Sequence, residues 1–321
     1  MKRISPATAL LFLGPICGEL ISGHQSLFEF INPLAFLLTS LPYGFGAIIC
    51  RELMIRWGKQ WPSLILLGLA YGVYEEFIVA RSVWDPEWAE LGAIRDYSYW
   101  EGVTWTYAAV LLHFHVLISI LASIGLAHLI YPSRRHESWV NNRQLTWCFI
   151  GLALWMPTLW LLNPFVPTIP ALAFSCGAII GLMYLARHWP ESVFPQHAGT
   201  STRPLWYGVL AAVNMTVIFL AVFVLPETES AWLPDWPVVL AGIVILDVLM
   251  FGLILRWSGN GYAWDDRHRL AFIAGVLAFF IVFGFLQDFE QFGGLSLVAL
   301  VTIWGLRRLW QGISTPIAKT V

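Results

Sequence analysis

Residues 62–82 read PSLILLGLAYGVYEEFIVARS, a run whose only charged residues before Arg81 are the neighbours Glu75 and Glu76. A helix rises about 1.5 Å per residue, so roughly 20 such residues cross about 30 Å of hydrocarbon. The run is filled with apolar side chains and lacks the stripe that a half-solvated helix shows. Working outward, comparable stretches lie near 5–21, 31–51, 104–131, 144–163, 165–187, 204–226, 236–257, 268–287 and 293–307. The whole chain of 321 residues is 58% hydrophobic and 12% charged. Its mean hydropathy is +0.69. Soluble domains carry about a quarter of their residues as charges, so the solvent here is lipid. The expected fold is all-α: a polytopic transmembrane bundle of about ten spans, forming a single integral membrane domain over 1–321 whose constant partner is the lipid bilayer. A net charge of −2 argues against nucleic acid as a partner.

Lys and Arg test this division, because basic loops are retained on the cytoplasmic side. With both ends inside, all 18 of them except Arg81 and Arg95 fall in cytoplasmic segments, from Lys2 and Arg3 through to Lys319. One missed span in the middle would scramble that segregation. The Met1-Lys2-Arg3 start resembles a leader, but no small-residue cleavage site follows Glu19, and the segment is read as the first span. A prokaryotic inner (plasma) membrane is the expected location.

Ionisable residues inside apolar spans are expensive and mark sites. They are Glu19 in span 1, Glu75 and Glu76 in span 3, His113 and His115 in span 4, and Asp247 in span 8, with Asp288 and Glu290 closing span 9. Counting from the span ends puts Glu19 and the Glu75/Glu76 pair roughly 20 Å from the cytoplasmic edge and the two histidines roughly 14–17 Å from the other, overlapping levels. Asp247 comes out nearer the cytoplasmic side, outside the cluster. Residues two apart on a helix point to nearly opposite faces, so only one histidine can join. His115 is favoured, because its face carries the small residues Ala108, Ser119 and Ala122. Gly68 and Gly72 form a matching groove on the acidic side of span 3. Paired carboxyls beside an imidazole suit general acid–base chemistry. Arg51-Glu52, at the end of span 2, is explained by snorkelling and a local ion pair.

Glu75-Glu76 followed by Arg81, with a histidine in the next span, resembles in part the CAAX-protease and bacteriocin-processing glutamic intramembrane proteases. The arginine stands five positions after the second glutamate, where that family has four. The likeness covers about residues 70–120. It implies water activated by Glu75 or Glu76 with His115 and hydrolysis of a membrane peptide, with Arg81 as the arginine of its motif; Glu19 and His113 join the candidate catalytic set on their depth alone.

A second class is also open. Ten spans divide into five and five, which suggests the inverted repeat of a proton- or cation-coupled carrier of small solutes. Span 1 is interrupted by Gly14-Pro15 and Gly18, and span 6 is preceded or broken by Pro164, Pro167 and Pro170. Glu19 would then be the ion site. The acidic and aromatic segment from Trp84 to Trp105 reads as an interface anchor, with a lid over the glutamates as the alternative. Cys17, Cys50, Cys148 and Cys176 show no C-x-x-C pair and read as packing residues. No phosphate loop or H-E-x-x-H occurs, so the residues assign no metal and leave any cofactor unknown.

Overall fold

All but one of the long helices, that beginning at Trp105, start at a capping side chain or a proline. A computed structural model describes residues 4–190, 193–197, 202–228, 230, 232–291 and 293–313. Lys2, Arg3 and Lys319, counted above, lie outside them. Helix α1 (Pro6–Ile21) starts at Ser5, whose hydroxyl accepts from the Thr8 amide. Helix α2 (Pro33–Arg56) starts at Asn32, and α3 (Trp61–Val79) has Pro62 in its first turn. Prolines there cost nothing, since those amides have no partner inside the helix. Next come α4 (Trp105–Ile130) and α5 (Asn142–Leu162), the latter opened by a reciprocal Asn141/Gln144 cap. Thr168 caps α6 (Ile169–His188). Then follow α7 (Pro204–Val224), α8 (Trp236–Ser258), α9 (Asp266–Phe289) and α10 (Leu295–Gly312). Gly259 ends α8 at φ 59°, a left-handed conformation that glycine adopts freely. Asp288 caps α10, accepting from the amides of Gly294, Leu295 and Ser296.

Among the described residues, eight helices, α2 to α9, are long and apolar enough to cross a membrane. Helix α1 is shorter, and α10 carries Arg307 and Arg308 near its end. The ten helices overlie the ten apolar stretches, and eight of them have the length and composition of a membrane crossing. Over their apolar windows α3 and α4 are 72% and 78% buried, whereas α5 and α6 are 17% and 11% buried. The bundle thus places α3 and α4 at its centre and turns the apolar sides of α5 and α6 outward. Small residues set the tightest crossings: a Cβ on Gly14 would stand 2.9 Å from the Gly44 backbone, so α1 and α2 touch main chain to main chain.

Contacts between the connecting segments fall into two sets. In one, Arg51 donates to the Arg135 carbonyl at 3.0 Å, Arg135 pairs with Asp266 at 2.8 Å, and Lys59 donates to the Trp189 carbonyl at 3.1 Å. In the other, Glu227 accepts from the Ala93 amide at 3.0 Å, Tyr97 donates to the Pro234 carbonyl at 2.6 Å, and Leu27 donates to the Gly293 carbonyl at 2.8 Å. Each set joins the ends that alternate helices share.

Three expectations change. Helix α2 continues to Arg56, so Arg51 and Glu52 are internal and fully buried instead of snorkelling. Glu52 accepts from Arg51, Arg56, Ser138 and the Trp139 amide, and Arg51 stacks 3.6 Å over the Trp139 ring. The prolines before α6 lead into an unbroken helix, unlike α1, which holds Pro15 and widens beyond it. In the segment from Trp84 to Trp105, Trp84 is buried, donating to the Phe77 carbonyl, while half-buried Trp105 stacks on half-buried Trp236 and exposed Trp100 lies tilted against it. Cys17, Cys50 and Cys148 are buried, and Cys176 is exposed.

Candidate functional site

Three helices change pitch where their ionisable residues lie. Helix α1 widens from α to π over Ile16–Ile21, α3 over Tyr74–Val79 and α4 over His115–Ala122. The Ala80 amide donates to the carbonyl of Glu75, five residues back, at 2.7 Å. A π turn holds more residues than an α turn, so neighbouring side chains diverge by less than the usual angle of about 100°. Glu75 and Glu76 can therefore both reach one partner across the helix interface.

That partner is His115, which is 1% exposed. Its Nε2 lies 2.8 Å from Oε1 of Glu76 and its Nδ1 3.4 Å from Oε2 of Glu75. With Glu76 ionised, Nε2–H donates to it, and Nδ1 accepts from the Ser119 hydroxyl at 3.1 Å, one turn along α4. The second oxygen of Glu76 accepts from the Ser82 hydroxyl. Gly72 makes the approach possible: a Cβ there would stand 3.2 Å from the His115 Cβ. Gly68 serves the same groove, opposite Val116.

Tyr43 and Tyr71 flank the imidazole, their ring centroids 6.0 and 5.6 Å from it. Both lie against Glu75, although the Tyr71 hydroxyl completes no hydrogen bond of ordinary geometry. Glu19 approaches from α1, sharing Tyr43 with Glu75. One oxygen of Glu19 and Oε2 of Glu75 are buried without a hydrogen-bond partner. Toward the surface the polar line continues through His24, whose Nδ1 lies 3.4 Å from Glu90, which in turn accepts from Tyr107. The Glu19 carboxylate chiefly, opposed by burial and aided by Glu90, holds the His24 imidazole above its ordinary pKa.

Of the six residues singled out above, the fold brings together Glu19, Glu75, Glu76 and His115. His113 points the other way, with Nδ1 3.0 Å from Asp247, which also accepts from Asn214. Asp247 thus meets His113 instead of lying a level apart from it, because α4 and α8 start at the same edge and the two residues lie about two and three turns in. Arg81 is fully buried at φ 64° and turns to the end of α5, donating to the carbonyls of Leu159, Asn163 and Phe165. Its guanidinium lies 4.8 Å over the Trp160 ring. The side chain of Glu290 lies outside the described residues. Tyr43, Tyr71 and Ser82 were not legible as site residues: tyrosines and serines are ordinary in such spans, and only the helix crossings bring these three to the carboxylates.

A bundle of apolar helices closed around carboxylates and an imidazole defines an integral membrane protein with a buried polar centre. Residues 9–286 match the profile described as "Uncharacterized membrane protein family", and the chain belongs to that family. A protein of Archaeoglobus fulgidus described as "Uncharacterized protein" is 29% identical over 92 residues, 28% of this chain and 28% of its own length. No solved structure matches.

Proposed function

We propose that the chain is a ten-span hydrolase of the prokaryotic plasma membrane, with both ends in the cytoplasm, that cleaves a peptide bond within the bilayer. The observation that carries this is Oε2 of Glu75: buried, without a hydrogen bond, and 3.4 Å from an imidazole whose other nitrogen Glu76 already holds. Both oxygens of Glu76 are engaged, so Glu76 positions and Glu75 accepts the proton. Water gives its proton to Glu75 as its oxygen adds to the carbonyl carbon. Collapse then breaks the C–N bond, and the same proton passes to the departing amine. The unengaged Tyr71 hydroxyl is the donor for the negative oxygen formed in between.

The test uses purified protein in liposomes with fluorogenic transmembrane peptides. Glu75→Gln should lower turnover by about 10²-fold or more while peptide still binds. Undiminished cleavage by folded Glu75→Gln protein sinks the assignment.

A second reading, an ion-coupled carrier, is favoured by the line from exposed Glu90 and His24 to the unpartnered oxygen of Glu19. It requires Glu19→Gln to abolish proton-driven flux and leaves peptides uncut.

A further inference from the structure

Carboxylates in a low-dielectric interior are paired, hydrogen-bonded or bound to a metal, because an isolated buried charge costs several kcal/mol. Among the described residues, the ion pairs of Glu75 and Glu76 are with His115 alone, and that ring carries a compensating charge only when protonated. The nearest fixed cation along the chain, Arg81, is spent on α5 carbonyls. Glu19, Glu75 and Glu76 are each less than a tenth exposed, and one oxygen on each of Glu19 and Glu75 makes no hydrogen bond. The cluster has an excess of acceptors over donors, which is the composition of a cation site.

We infer that Glu75, Glu76 and His115 bind one divalent transition-metal ion of the zinc class. One donor atom from each of the three lies within 4.8 Å of the others. Bonds of about 2.0–2.1 Å in a tetrahedral set place donors about 3.4 Å apart. The observed Nε2–Oε1 separation of 2.8 Å and the 4.8 Å limit on the three donors bracket that value. One nitrogen with two carboxylate oxygens suits a borderline ion and leaves a fourth position for water.

The surroundings are those a metal-bound histidine needs. When Nε2 binds the ion, Nδ1 carries the ring's proton and donates to Ser119, a hydroxyl that can accept as readily as it donates. Ser82 holds the outer oxygen of Glu76 in the same way. The inference concerns the cluster treated above but stands whether or not that cluster is hydrolytic. If it is, the ion lowers the pKa of its bound water, and the proton-accepting role of Glu75 passes to the free oxygen of Glu19.

The test is metal binding itself. Full-length protein in detergent, stripped with chelator, is titrated with zinc sulfate, and the bound metal is read by elemental analysis and X-ray absorption. The expected result is one zinc per chain with nitrogen and oxygen donors at about 2.0–2.1 Å and no sulfur. Binding is lost in His115→Ala and Glu76→Gln and weakened about 10- to 100-fold in Ser119→Ala. No tight zinc in the intact wild-type chain overturns the inference, and so does a sulfur shell, which would assign the ion to the cysteines. The absorption spectrum is taken on the wild-type protein, so it decides even if a variant fails to fold. Zinc bound without peptide cleavage would keep this site and remove the hydrolase; cleavage untouched by stripping would do the reverse.

Discussion

Arg81 shows how far one side chain's role depends on where its backbone points. At φ 64° it leaves the line of α3 and lays its guanidinium on three carbonyls at the end of α5, where no helical partner remains. Lysine is no substitute, since an ammonium cannot span that fork or stack on Trp160 as guanidinium does. We expect Arg81→Lys to cost about 1–3 kcal/mol, read as a lower unfolding midpoint in detergent, with the zinc site intact. An unchanged midpoint would return Arg81 to candidacy at the glutamates. His24 supplies the pH dependence. Its folded pKa is raised, so its contribution is fully present below the imidazole's ordinary value of about 6.5 and fades as pH rises through the folded value. His24 is half exposed, which screens the effect. The midpoint should fall slightly across that window in wild type and stay flatter in His24→Gln; parallel profiles would show that Glu19 does not act on it.

At the scale of elements, the recurring device is the π segment at each site-bearing helix. An α-helical α3 would separate Glu75 and Glu76 by about 100° and leave one of them off the His115 face. Close main-chain contact does the complementary work of bringing helices near enough for short side chains to meet. Gly14 and Gly44 are the case between the helices that carry Glu19 and Tyr43, and the atoms a Cβ would strike there are backbone and cannot swing aside. Gly14→Ala should force α1 away from α2, costing about 1–3 kcal/mol. The proposed zinc ligands lie on α3 and α4, so zinc affinity should change much less than stability. Wild-type stability in this variant would disprove the tight crossing.

Across the whole molecule, the acidic cluster and the buried ion pair occupy different helices and different levels of one bundle. The acidic cluster sits among α1, α3 and α4, while the Arg51–Glu52 pair ties α2 to the segment between α4 and α5. Both members of that pair are fully buried, so removing one strands the other's charge in the interior. Glu52→Ala is expected to destabilise by about 3–5 kcal/mol, measured by thermal unfolding, and Arg51→Met/Glu52→Leu together by much less. Equal losses from the single and the double change would mean that the network is not a buried charge pair.

Much of this architecture was legible along the chain. Hydropathy locates spans because lipid forces every crossing segment to be helical and apolar, and helical periodicity separates His115 from His113 because the two point to opposite faces. The depth overlap of Glu75, Glu76 and His115 follows from the same arithmetic. What only the tertiary structure decided is where long or neighbouring side chains end up: Arg81 on α5, Asp247 against His113, Arg51 and Glu52 inside, Tyr43 and Tyr71 against the carboxylates. Those outcomes depend on which helices cross, how closely and with what local pitch. Such terms are set by contacts between residues distant in sequence, and no one-dimensional pattern carries them.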